Sequence, residues 1–196
     1  MKNQEAEILI IHINGEKVLD NCLSSIYKDN KQAKVKLLLN GTKDNSAIIA
    51  NKFKNITIQK TNKTISFAKA TNMLAKTSKA KYIVFLNNDT EVKKNWLNEL
   101  IKTIERHPNC VACQPKIKSF YERKKFEYAG AAGGFIDKYG YPFCQGRIFG
   151  SIEEDSGQYN EERKIFWGCG SCLLVKKNFF IESGMLDSFD LVTLVT

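Results

Sequence analysis

Four runs of strand length, each mostly apolar, recur through the first half of the chain with helix-patterned text between them: EILIIHI (7–13), VKLLL (35–39), ITIQ (56–59) and YIVFL (82–86). Strands that are apolar on both faces belong in a sheet covered on both sides, and right-handed βαβ units build such sheets. The intervening text fits helices. Glu16 onward places Val18, Leu19, Cys22, Leu23 and Ile26 on one face. A short segment offers Ile48, Ile49 and Phe53, the next offers Phe67, Ala70 and Leu74, and the last offers Trp96, Leu97, Leu100, Ile101 and Ile104, with Asn95 as its expected cap. The pattern predicts an α/β fold with a mostly parallel central sheet flanked by helices.

Beyond residue 117 the period disappears. The stretch from about 118 to 166 is dense in glycine, Phe, Tyr and charge. Its aromatic content argues against disorder, so a long ordered insertion over one end of the sheet is expected. AGAAGG (129–134) reads as a turn within it, and the text from Phe166 to Leu186 resumes a strand and a short helix. With 196 residues the chain suits one domain, 1–196, with one sizeable core.

Charge and cysteine content narrow the partners. Lys+Arg 30 against Asp+Glu 21 gives a net charge of +9, which suits an anionic ligand, an anionic membrane surface or nucleic acid. The lysines are scattered, with no arginine-rich arm and no aromatic RNA-binding signature, so nucleic acid is not expected as a partner. CVAC and CGSC are too far apart for the usual paired zinc knuckles and read as small buried thiols. No run approaches the roughly 20 apolar residues of a membrane span, and the N-terminus does not read as a signal peptide. A cytoplasmic protein is expected, with the lysine-rich surface allowing peripheral association at the inner face of the membrane.

YIVFL runs straight into Asn87, Asn88 and Asp89. Ligands of open α/β sheets bind beyond the carboxyl ends of the strands, and these side chains are hard oxygen donors of the kind that suit Mg2+ or Mn2+ carrying a phosphate. An Asn-Asp turn after a strand is the plainer alternative. His12 and His107 are the only histidines; His12, inside a strand, reads as a satisfied interior polar group. Neither a GxxxxGK[ST] loop nor a GxGxxG fingerprint is present.

In order, IIHING…VLDNCLSSI, LLLNGTKDNS, TISFAKATNMLAK and YIVFLNNDTEVKKNWLNEL resemble the N-terminal half of family-two glycosyltransferases. The later CQPKI…FEYAGAAGGFIDKYGYPFCQGRIF…FWGCGSCLLVKK resembles their bacterial branch acting on cell-envelope polysaccharide. The resemblance implies the GT-A fold, a donor half over 1–117 and a partial acceptor half over 118–196. It implies transfer of a sugar, with inversion, from a nucleotide-diphosphate donor such as a UDP- or dTDP-sugar to a glycan or lipid-linked acceptor. Asn87 and Asp89 match the family's metal-binding motif, with Asn88 between them among the donor-binding positions. Ile13, Asn14 and Gly15 match the base and ribose pocket, Asn40 and Asp44 the nucleoside loop, and Ser66, Phe67 and Asn72 the helix start near the donor. Trp167, Gly168, Gly170 and Ser171 match the acceptor side, though Trp167 reads slightly more readily as core and Asp44 equally as a turn acid.

Three positions depart from the family pattern. Leu39 stands where an aspartate usually grips the nucleoside, which predicts donor affinity weaker by about 1–3 kcal/mol, regained in Leu39→Asp. Ser66 stands for a glycine. Past GMLD the family's general-base motif is not found; only Asp187 and Asp190 follow, and the end of the chain reads as truncated or frame-shifted. A catalytically weak homologue that binds nucleotide or a partner is therefore the alternative function.

Overall fold

The computed structural model describes residues 5–128 and 130–187. Strands and helices alternate as β1 (Ala6–His12), α1 (Glu16–Asp29), β2 (Val35–Asn40), α2 (Ser46–Ala50), β3 (Ile56–Thr61), α3 (Phe67–Thr77), β4 (Tyr82–Leu86) and α4 (Trp96–Arg106). Then follow β5 (Ala112–Cys113), β6 (Gly134–Ile136), β7 (Pro142–Cys144), β8 (Arg147–Ile148), β9 (Ser151–Ile152), β10 (Cys172–Lys176) and α5 (Lys177–Glu182). The main sheet has the order β3-β2-β1-β4-β10-β5. Its first four strands pair in parallel, and β10 runs antiparallel between β4 and β5. This is the expected α/β architecture with a mostly parallel sheet.

Alternation along each strand sorts the core into two layers. Ile8, Ile10, Val35, Leu37, Leu39, Tyr82 and Val84 face α1, α2 and α4. Leu9, Leu38, Ile83 and Phe85 face α3 and α5. Every residue of β2 and β4 is buried, because helices cover both faces. The central strands therefore cannot shift register by one residue without moving their side chains into the opposite layer.

Some expected core positions lie outside it. Val18, Ile48 and Phe67 are exposed. Val18 and Phe67 sit in the first turns of α1 and α3, at the carboxyl-end rim where the sheet no longer covers the helix. Asn95 starts α4, but from the left-handed region at φ 63° and without capping through its side chain; its N–H instead donates to Asp29 Oδ1 at 2.8 Å. Ser66 needs no glycine-like geometry. At φ −60° it caps α3, its hydroxyl accepting from the Lys69 N–H.

The insertion is ordered around its own small sheet, β6-β7-β8-β9, which the aperiodic sequence did not announce. Phe126, Ala131 and Cys144 form its core, with Trp167 and Tyr159 packed against them. Of AGAAGG, residues 130–134 are described, and they are only partly a turn. Gly134 opens β6, and a Cβ there would lie 2.1 Å from the Trp167 ring, so the indole needs a bare backbone beneath it. Asp155 fastens the other end, accepting from Lys116 at 2.8 Å and Lys118 at 3.1 Å. Those two ammonium groups, Lys116 foremost, hold its carboxyl down at about 2.

All six cysteines are free. Burial pushes Cys22 and Cys113 up to about 12 and raises Cys172 further, so these thiols stay protonated near neutral pH. Among the described residues, no helix is long and apolar enough to cross a membrane.

Candidate active site at the carboxyl ends of the strands

β1 lies between β2 and β4, and the chain crosses from one side of it to the other after β3. The loops leaving β1, β2 and β4 therefore converge at one crevice. Two of them are tied together. The Gly15 N–H donates to Asp44 Oδ2 at 2.7 Å, the Lys43 N–H to Asn14 Oδ1 at 2.9 Å, and the Asn45 N–H to Glu16 Oε1 at 3.0 Å. Asn14, Gly15 and Asp44 thus form one joined rim, with Ile13 exposed beside them.

Asp44 is anchored as well as charged. Partial burial works against its ionised form, but hydrogen bonds from Ser46 and Gly15 and the nearby His12 outweigh that and lower its pKa. His12 is 1% exposed, and both ring nitrogens are engaged: Nε2 with Ser46 Oγ at 2.8 Å and Nδ1 with Asn88 Nδ2 at 2.7 Å. Burial lowers the His12 pKa against the opposing pull of Asp44, which favours the neutral ring. A continuous polar chain therefore runs from Asp44 through Ser46 and His12 to Asn88, linking three strand ends.

Asn40 has a different task. Its Oδ1 accepts from the Ile65 N–H at 2.9 Å and the Thr61 hydroxyl at 3.0 Å, while its Nδ2 donates to Ile65 O at 2.9 Å. With its side chain fully committed at 2% exposure, Asn40 secures the loop leading into α3 rather than meeting a ligand. Gly41 makes this closure sterically feasible: its φ is +68°, and a Cβ there would lie 2.5 Å from the Thr64 nitrogen.

The turn after β4 is closed locally, and of Asn87, Asn88 and Asp89 only Asp89 is exposed. The Asn87 carbonyl accepts from Thr90 Oγ1 at 2.7 Å and from the Cys22 thiol at 3.6 Å, closing the turn on its inner side. On the outside, no described residue hydrogen-bonds or ion-pairs with the exposed Asp89 carboxylate. Asn87 Nδ2 donates to Ser171 Oγ at 3.4 Å, and the Asn87 N–H donates to Ser171 O at 3.0 Å. Asp89 with the amide oxygens of Asn87 and Asn88 is a hard-oxygen set carrying one charge. Such a set suits a Mg2+ or Mn2+ ion whose remaining ligands come from phosphate and water.

The remaining expected positions divide. Gly170 and Phe67 line a small cavity with Asn87, Leu86 and Thr71, and Ser66 caps the helix that carries Phe67. Gly168 packs under Leu173 and beside Gln114, whose Oε1 accepts from the Cys169 N–H at 2.7 Å. Trp167 turns away from the crevice, stacks over Gly134 and donates through Nε1 to Phe135 O at 2.9 Å; the exposed aromatic of this segment is Phe166. Asn72 is also elsewhere: both ends of its amide bind the Leu186 backbone, at 2.8 and 3.1 Å. Leu39 is 2% exposed and lies in the core between β1 and β3, so an aspartate there would enter the core, not the crevice. The expectation that Leu39→Asp restores nucleoside binding is corrected on that ground. Asp190 and the chain end fall in 188–196, outside the described residues.

The family model described as glycosyl transferase family 2 matches residues 7–184. Solved structures similar to this chain include the mannosyltransferase PcManGT of Pyrobaculum calidifontis in complex with GDP-Man and Mn2+, at TM-score 0.62 and 12% identity over 94% of this chain and 48% of that one. TarS 1-349 of S. aureus aligns at TM-score 0.66 and 14% identity, over 92% of this chain and 49% of that one. GalNAc-T7 with UDP, GalNAc and Mn2+ aligns at TM-score 0.63 and 14% identity, over 93% and 36%. The shared fold is GT-A, and this chain spans about half or less of these proteins. No curated protein sequence matches it.

Proposed function

We propose that this chain, which belongs to glycosyl transferase family 2, moves a sugar from a nucleotide-diphosphate donor, UDP- or dTDP-linked, to a glycan or lipid-linked acceptor of the cell envelope. One observation carries the reading: the exposed Asp89 carboxylate, with no hydrogen bond or ion pair to any described residue, follows Asn87 and Asn88 at the end of β4, in the crevice where the loops leaving β1, β2 and β4 converge. Asp89, with Asn87 beside it, would hold Mg2+ or Mn2+, which when bound supplies Lewis-acid charge neutralisation to the departing diphosphate. The joined rim of Ile13, Asn14, Gly15 and Asp44 would receive the nucleoside. Ser171, tied to Asn87, together with Gly170 would border the anomeric carbon and the entering acceptor hydroxyl. Attack opposite the leaving group would invert the anomeric centre through an oxocarbenium-like transition state.

For such work on envelope precursors we propose the cytoplasm or the inner face of the membrane, where a net charge of +9 would favour anionic lipid. The test is turnover of UDP- and dTDP-sugars with Mn2+, followed by release of the nucleotide and by anomeric configuration of the product. Inverted product supports the reading. Donor binding with no turnover under any acceptor would leave the alternative of a nucleotide-binding homologue with weak or no activity.

A further inference from the structure

The polar chain behind the crevice has a direction. Asp44, as a carboxylate, can only accept, and it takes hydrogen bonds from the Gly15 N–H and the Ser46 N–H. At the far end the Asn88 amide nitrogen lies 2.7 Å from His12 Nδ1 and can only donate, so Nδ1 is the bare nitrogen and Nε2 carries the hydrogen that the Ser46 hydroxyl oxygen accepts. Asn88 thus turns its NH2 inward onto the ring. No described residue then engages Asn88 Oδ1.

We infer that His12 is a positioning residue that locks the Asn88 amide with its oxygen facing the crevice. That orientation gives the site an acceptor beside Asp89. An outward oxygen favours a cation or a hydroxyl and repels bare phosphate oxygens, whereas an outward NH2 would attract them. His12 thereby couples diphosphate binding to the presence of a divalent ion. The inference rests on the donor-site reading for its ligand, but the orientation itself is a property of the free protein.

Two measurements separate these levels. In the ligand-free protein, long-range proton–nitrogen NMR correlations of the His12 ring should show a protonated Nε2 and a bare Nδ1. The opposite tautomer would overturn the inference whether or not any donor binds. Titration of UDP with and without Mn2+ then gives the enhancement due to the metal. It should fall by about fivefold to tenfold in His12→Leu, largely through tighter metal-free binding, as one reoriented hydrogen-bonding group allows. His12→Gln, which keeps one acceptor and one donor, should restore much of it. In an Asn88→Ala background His12→Leu should change the ratio no further, since the effect travels through that amide. A His12→Leu protein that folds and keeps the wild-type ratio, or an equal loss in the Asn88→Ala background, would reject the positioning role.

Discussion

The main sheet and the insertion are held together in different ways. In the sheet, dozens of apolar contacts repeat with the period of the strands, and helices seal both faces, so the loss of any one polar contact leaves the layers in place. In the insertion, β6 to β9 are two or three residues long, and a three-residue apolar core is supported by a few single fastenings: Trp167 on Gly134, Gln114 between Gly130 and Cys169, and Asp155 between two lysines. The difference teaches that the main sheet is fixed by burial and the insertion by particular pairs. Point changes should therefore act through unlike mechanisms in the two regions.

The most severe test of the sheet is Leu39→Asp. It removes a buried side chain, which for a leucine costs about 2–5 kcal/mol, and adds the burial of a carboxyl group. Thermal unfolding should show a large loss, and UDP affinity should not rise; tighter binding in a stable protein would put residue 39 in the crevice after all. For the insertion, Trp167→Ala should cost about 3 kcal/mol, the low end for a truncated indole because the ring is only partly buried. Phe166→Ala, one residue away but exposed, should stay within about 0.5 kcal/mol. Equal effects would mean that Trp167 is not the fastening.

The smallest effect is pH-dependent. Asp155 titrates at about 2 in the folded chain against an ordinary 3.8, so its pairing stabilises fully above the ordinary value and fades as pH falls towards 2. Acid unfolding should begin in the insertion. Asp155→Asn should flatten that limb of the pH profile, measured by Tyr and Trp fluorescence between pH 5 and about pH 2.

Sequence pattern reveals most of the first region and little of the second. β1 to β4 and α1 to α4 follow from runs and periods that depend only on neighbours in the chain. Val18 and Phe67 break the helical pattern because a period says which face is apolar but not where the sheet beneath it ends. The insertion has no period to read, since its partners, such as Gly134 with Trp167, are matched by shape rather than by spacing. At the site, Asn87 and Asp89 could be found because a strand ends in them. The resemblance puts Asn72 near the donor, yet Asn72 binds Leu186; Trp167 follows its core reading and packs over Gly134. His12 could be recognised as a satisfied buried group, but not as the link to Asn88 and Ser46, which lie 76 and 34 residues away.

The central claim is that Asp89 marks a donor-diphosphate site. Its most direct test is calorimetric titration of UDP, with and without Mn2+, into the wild-type chain and into Asp89→Ala. Asp89 is exposed and makes no hydrogen bond or ion pair with a described residue, so the variant should fold with unchanged thermal stability. The account predicts binding that requires Mn2+ in the wild type and is lost in Asp89→Ala. Binding that ignores the metal, or that survives the substitution undiminished, would contradict it.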